Sequence, residues 1–323
     1  MEPLLSVRDL SVTFRSNRKT VNAVKNLSFD VGKGEIVAIV GESGSGKSNA
    51  VLALLDLVRA PGEVESGEIL FDGQDLTQLS PRQMRKIRGN RIAMIFQDPM
   101  TALNPLLSVG RQLSDLARDH LGLGKAAAYQ RGVETLAKVG IAAPERRMAS
   151  YPHQLSGGIR QRVMIAMALI CEPDLLIADE PTTALDVTIQ AQIIELIKGL
   201  QREYNMSIIW ITHDLGVVAS LADRVIVMYS GTQIESASAN TIFNGTVHPY
   251  TEALLASMPR VDVPPVEELV TLPPPLDKDP LSTGCLFVSQ CRYAIDRCRE
   301  VEPMLDEVVP GHFARCWRID RDE

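Results

Sequence analysis

The chain has 323 residues, 45% of them apolar, and a formal net charge of −7, enough for one large packed domain with a smaller one beside it. The acidic balance leaves no basic surplus to neutralise a phosphate backbone, which argues against nucleic acid as the partner. No basic flank followed by an apolar signal core is seen at the start, and the most apolar segment, 163–171, is far shorter than the roughly twenty residues that span a bilayer, so a cytosolic chain is expected.

Residues 4–14 and 23–31 alternate apolar and polar positions as strands do, with a charged loop at 16–19 between them. Residues 68–71, ending in Asp72-Gly73, predict another strand of the same N-terminal sheet. The run 36–40 is apolar throughout and leads into Gly41-Glu42-Ser43-Gly44-Ser45-Gly46-Lys47-Ser48, with a helix expected over 49–58. Strand, glycine-rich loop and helix in that order make a P-loop. Backbone N–H groups, bare at the glycines and aimed by a helix N-terminus, surround the phosphates of a nucleotide. Gly41, Ser43, Gly44, Ser45 and Gly46 are expected around ATP, Lys47 on its β- and γ-phosphates, and the Ser48 hydroxyl on Mg²⁺. A plain glycine turn accounts for Gly41 or Gly46, but not for Lys-Ser directly after.

Residues 108–141 space their apolar side chains helically, with a break near Gly122-Leu123-Gly124, inside a helical insertion of about 98–172. Within it, Leu155-Ser156-Gly157-Gly158-Ile159-Arg160-Gln161 precedes a strongly helical segment, so the Ser156 hydroxyl and two glycine amides stand at a positive helix end. This is a second anion site. One chain would struggle to bring both sites around one γ-phosphate, whereas two domains face to face each supply Ser156 to the other's ATP.

The apolar strand 175–178 ends in Asp179 and Glu180. Asp179 suits Mg²⁺ coordination, and Glu180 is placed to polarise water for attack on the γ-phosphate; helix capping before Pro181 explains only one of the two acids. A further buried strand, 208–211, precedes His213. Phe14 is a candidate for stacking on adenine, with a core role equally open because Leu10, Val12 and Phe14 share one strand face. Asp186 is placed to N-cap the segment beginning at Val187. The expected fold is α/β: a parallel P-loop core with an N-terminal antiparallel β subdomain, a helical insertion and a small C-terminal extension.

The P-loop, Leu155 to Gln161, Leu175 to Glu180, Ala184-Leu185-Asp186 and His213 together resemble the ATPase domain of an ABC transporter, over about the first 255 residues. The resemblance implies that Gln97 contacts Mg²⁺ and senses a transmembrane partner, and that His213 touches the γ-phosphate. It also implies that Ser156, Gly157, Gly158 and Gln161 face a partner's ATP, and that Asp186 crosses the dimer interface. Ile95 to Pro105 and His248-Pro249-Tyr250-Thr251 resemble the ATPases of dipeptide, oligopeptide and nickel importers. This closer resemblance implies ATP-driven uptake of peptides, with nickel or another small solute as the alternative. The implied partners are a second ATPase subunit, favoured as a heterodimer, two permease subunits and an extracytoplasmic substrate-binding protein. The implied place is peripheral, at the cytoplasmic face of the inner membrane. An ABC ATPase acting on ribosomes or DNA normally has two nucleotide domains or a long coiled coil, and this chain has one P-loop and no sustained heptads. A redox-regulated soluble ABC ATPase is the other reading.

The ATPase domain is expected over 1–258, a proline-rich linker over 259–283 and a C-terminal module over 284–323. Cys285, Cys291, Cys298 and Cys316 have five, six and seventeen residues between them. Thiolates suit an iron–sulfur cluster or zinc, and spacing alone leaves both open beside unliganded thiols. The resemblance implies a 4Fe-4S cluster. Cys171, in an apolar helix, is expected as a small buried residue. Asn49 departs from the small or hydroxyl residue usual at that place in the close relatives, without touching the catalytic set.

Overall fold

A computed structural model describes residues 2–16, 20–183, 185–258 and 283–321. The expected linker, most of the charged loop at 16–19, and Ala184 lie outside these. The strands are β1 (Leu5–Arg15), β2 (Thr20–Val31), β3 (Ile36–Val40), β4 (Gly62–Phe71), β5 (Gln74–Asp75), β6 (Ile92–Ile95), β7 (Leu175–Asp179), β8 (Ser207–Thr212), β9 (Arg224–Tyr229), β10 (Thr232–Ser238), β11 (Asp306–Val309) and β12 (His312–Ala314). One sheet is four-stranded and antiparallel, ordered β2-β1-β4-β5; the other is eight-stranded, ordered β11-β12-β10-β9-β3-β8-β7-β6.

The parallel run β9-β3-β8-β7-β6 is the core of the molecule. Strands covered on both faces need apolar residues at every position, and β3 is buried from end to end. Alternate residues serve different layers. In β7, Leu175 and Ile177 pack with the antiparallel sheet and the helix Lys47–Leu54, while Leu176 and Ala178 pack with the helical insertion. Ile209 and Ile211 against Ile208 and Trp210 repeat that division in β8.

The helical insertion keeps to its pattern. The helix Val109–Leu121 is capped by the Ser108 hydroxyl on the Arg111 amide at 3.2 Å, buries Val109, Leu113 and Ala117, and stops at Gly122 with φ of 66°. The helix Gly157–Leu169 buries Val163, Met164, Ile165 and Ala166. Cys171 is buried, as expected, but lies in the turn just beyond this helix and not within it.

Two features depart from the sequence reading. Strand β4 begins at Gly62, six residues before the expected start, because its exposed half pairs with β1 and carries no apolar alternation. The C-terminal extension is not freestanding: β12 pairs with β10 through Glu235–Ala314 and Ser236–Phe313. Glu235, with no exposed surface, accepts His312 Nε2 at 2.8 Å, Thr246 Oγ1 at 2.6 Å and the Val247 amide at 2.8 Å, so its burial is compensated by three hydrogen bonds.

Candidate nucleotide site

In an open parallel sheet, ligands bind beyond the carboxyl ends of the strands. Here β3 runs into the P-loop, β6 into Gln97, β7 into Glu180 and β8 into His213. Gly41 cannot carry a side chain, since a Cβ there would lie 2.2 Å from the Met228 carbonyl oxygen; at Gly46, with φ of 99°, it would lie 2.2 Å from that of Ala23. The loop therefore sits pressed onto β9 and β2. Its outer side opens into a pocket of about 610 Å³ lined by Gly41 to Gly44, Gly46 to Asn49, Gln97, Glu180 and His213.

Lys47 is buried, and its ammonium donates to the carbonyls of Gly41 at 2.7 Å and Glu42 at 2.8 Å. Burial pulls its pKa down, opposed by the charges of Glu180, Asp179 and Glu42. A buried ammonium held only by neutral oxygens is ready for an anion, and phosphate oxygens offer it charge-assisted bonds. Ser45 lies beneath the loop, its amide donating to the Glu42 carbonyl at 3.2 Å.

The Ser48 hydroxyl donates to Asp179 Oδ1 at 3.0 Å. Burial pushes the Asp179 carboxyl up from the usual range; the Ser48 bond opposes this and the Glu180 charge adds to it. A hydroxyl beside a partly desolvated carboxylate is a hard-oxygen donor pair, and a divalent cation would restore the carboxylate's charge. These residues fit Mg²⁺.

Glu180 has a left-handed backbone, φ of 46°, held by its amide bond to the Ile211 carbonyl at 3.0 Å. Its carboxylate meets Gln97 Nε2 at 3.0 Å, Thr183 Oγ1 at 2.9 Å and His213 Nδ1 at 3.2 Å. The structure thus gathers Glu180, Gln97 and His213 around one point facing the P-loop, with Gln97 bonded to Glu180 instead of to the Ser48–Asp179 pair. The only sequence signal for Thr183 is a hydroxyl three residues after the acid.

Other expected residues fall elsewhere. Phe14 is half-buried, packed beside Gly62 and the antiparallel core, and is not among the residues lining this pocket. Ser156 begins the helix Gly157–Leu169 in exposed position and its hydroxyl makes no bond to the helix amides, whereas Ser80, Ser108 and Ser238 each cap their own helix. Ser156, Gly157 and Gly158 stand outside the lining of this chain's own pocket. Gln161, expected to face a partner's ATP, is buried instead, donating to the Pro181 carbonyl, because one and a half turns of helix carry it inward from Ser156. Asp186 caps its helix, accepting the Ile189 amide at 3.0 Å.

The four C-terminal cysteines line one pocket with His248, Phe287, Tyr293 and Trp317. Among the described residues, however, no group of three or more His, Cys, Asp or Glu is spaced to hold a metal ion, so the expected cluster finds no preformed ligand set. Burial pushes the Cys285 thiol up to about 11, and those of Cys291 and Cys316 upward.

A P-loop after a central parallel strand, with a positioned carboxylate opposite, defines a nucleoside triphosphatase. The family described as "ABC transporter" matches residues 24–183, and "Oligopeptide/dipeptide transporter, C-terminal region" matches 234–298. The probable peptide ABC transporter ATP-binding protein y4tR of Sinorhizobium fredii is 50% identical over 319 residues, 98% of this chain and 95% of that protein. The dipeptide transport ATP-binding protein DppD of Escherichia coli is 49% identical over 314 residues, 97% and 96% of the two chains. Among solved structures, the ATP-binding cassette MJ0796, a dimer in a post-hydrolysis state bound to ADP and Pi, is similar with a TM-score of 0.66 and 29% identity, over 73% of this chain and 98% of its own. The chain belongs to the ABC transporter family, as an ATP-hydrolysing subunit of its oligopeptide and dipeptide branch. No helix among the described residues is long and apolar enough to cross a membrane.

Proposed function

We propose that this chain powers the import of dipeptides and oligopeptides through separate membrane permeases, working from the cytoplasmic face. The observation that carries this is the Glu180 carboxylate held by Gln97, Thr183 and His213 opposite the P-loop, in a chain whose relatives are named for peptide transport. ATP bound on the P-loop of one ATPase subunit is closed over by the Ser156 helix end of a second, related subunit in a heterodimer; the exposed, uncapped Ser156 helix end and the dimeric state of the similar cassette MJ0796 support pairing of two such domains. Glu180 takes the proton of the attacking water, Lys47 and the loop amides stabilise the phosphates, and Mg²⁺ supplies charge neutralisation at the Ser48–Asp179 pair.

Closure moves the permease through the surface around Gln97. There Phe96, Met100, Leu106 and Leu107 are all exposed, Leu106 at 83%, a concentration of apolar area that suits a docked helix. An extracytoplasmic binding protein delivers the cargo. Reconstituted with both permeases and the second ATPase in proteoliposomes, the chain is expected to support ATP-dependent uptake of a labelled dipeptide delivered by the binding protein. ATP hydrolysis unaffected by permease and peptide would remove this reading.

We further propose that the four cysteines hold a 4Fe-4S cluster, supported by their convergence on one pocket and by the suitability of thiolates as iron ligands. Protein purified without oxygen is expected to be brown and to contain iron and acid-labile sulfide. Colourless protein with stoichiometric zinc would replace the cluster by zinc.

A further inference from the structure

The nucleotide chemistry leaves the motif His248-Pro249-Tyr250 without a role. Tyr250 lies in the first turn of the helix Pro249–Ala256 and is fully buried. His248 caps that helix, its Nδ1 accepting the Tyr250 amide at 3.1 Å, which fixes where the ring begins. Further along, Leu254 and Ser257 reach the lining of the nucleotide pocket.

The Tyr250 hydroxyl oxygen accepts the amide of Glu42, in the P-loop, at 3.0 Å. The carbonyl of the same residue accepts Lys47 Nζ at 2.8 Å and the Ser45 amide at 3.2 Å. Of these three bonds, only the one to Tyr250 comes from outside the loop. The ring cannot drift, because its centroid stands 4.8 Å from that of Tyr229 and 5.5 Å from that of Phe287. Phe287 lies two residues from Cys285, so the cysteine-lined extension backs the tyrosine.

We propose that Tyr250 is a positioning residue for ATP binding, its phenol oxygen holding the Glu42 amide so that the P-loop stays shaped for the phosphates. When Lys47 leaves the Gly41 and Glu42 carbonyls for a phosphate, the loop gives up two internal bonds and the Tyr250 bond remains. Without it the loop populates shapes that do not bind, and apparent affinity falls by the fraction of time it is competent. The proposal rests on the P-loop being the nucleotide site.

The test compares wild type, Tyr250→Phe and Tyr229→Phe as full chains, by equilibrium binding of MgATP and by steady-state hydrolysis in the assembled complex. Tyr250→Phe keeps the ring and deletes the acceptor. Its Kd and KM for MgATP are expected to rise about 3- to 10-fold, the scale of one hydrogen bond, with kcat changed less than about twofold. Tyr229→Phe keeps the neighbouring ring and deletes the phenol that donates to Gln290 Oε1 at 2.9 Å, and is expected to bind as wild type does. Unchanged affinity in Tyr250→Phe overturns the proposal, as does an equal loss in both variants, which marks general softening of the aromatic cluster. A wild-type chain that binds no MgATP overturns the nucleotide reading and the positioning role with it.

Discussion

Glu180→Gln is expected to lower ATP turnover about 10²- to 10⁴-fold while leaving MgATP affinity within about threefold of wild type. The substitution preserves size but replaces one carboxylate oxygen by an amide NH₂, which takes no proton from water. Three donors now converge on the two oxygens, Gln97 Nε2 and Thr183 Oγ1 on one and His213 Nδ1 on the other. An amide can serve only one side of that arrangement. Lys47, Ser48 and the loop amides are untouched, so the substrate still binds. The His213 side chain is 55% exposed while that of Glu180 is 15% exposed, so the carboxylate is the more sheltered of the pair. Single-turnover hydrolysis and equilibrium binding on the same preparation separate the two effects. Near-normal turnover would remove Glu180 from the role of base.

Ser156→Glu is expected to cost turnover about 10²-fold or more without weakening MgATP binding by the isolated chain. Ser156 is exposed and makes no capping bond to its helix, so the change leaves this chain's fold and its own P-loop intact. In a closed dimer the new carboxylate meets the triphosphate of the neighbouring site, and like charges brought together at an interface cost several kcal/mol. Equal loss in binding and turnover would place Ser156 at its own nucleotide instead.

Much of the site was legible because its strands are buried on both faces. The apolar runs at 36–40, 175–178 and 208–211 need no partner to be recognised, and each ends where its chemistry begins. The hidden parts depend on partners distant in sequence. Strand β10 reads as polar, Thr-Gln-Ile-Glu-Ser-Ala-Ser, yet is buried except at its last residue, because it pairs with β9 on one side and with β12 on the other, where His312, 77 residues later, satisfies Glu235. The exposed half of β4 is held partly by Arg15 pairing with Glu63 and Glu65, which no apolar alternation announces. Gln161 has the residue type the chemistry wants, but packing turns it onto the Pro181 carbonyl. Side-chain direction is a tertiary property, and spacing along the chain does not report it.

In the proposed cycle ATP is shared between two subunits. The direct measurement is the structure of the complete transporter, with Glu180→Gln to stop hydrolysis, trapped in MgATP. The Ser156 hydroxyl is expected at about 3 Å from the γ-phosphate of the nucleotide on the opposing subunit's P-loop. A trapped complex in which both sites hold ATP while Ser156 remains in solvent would contradict it.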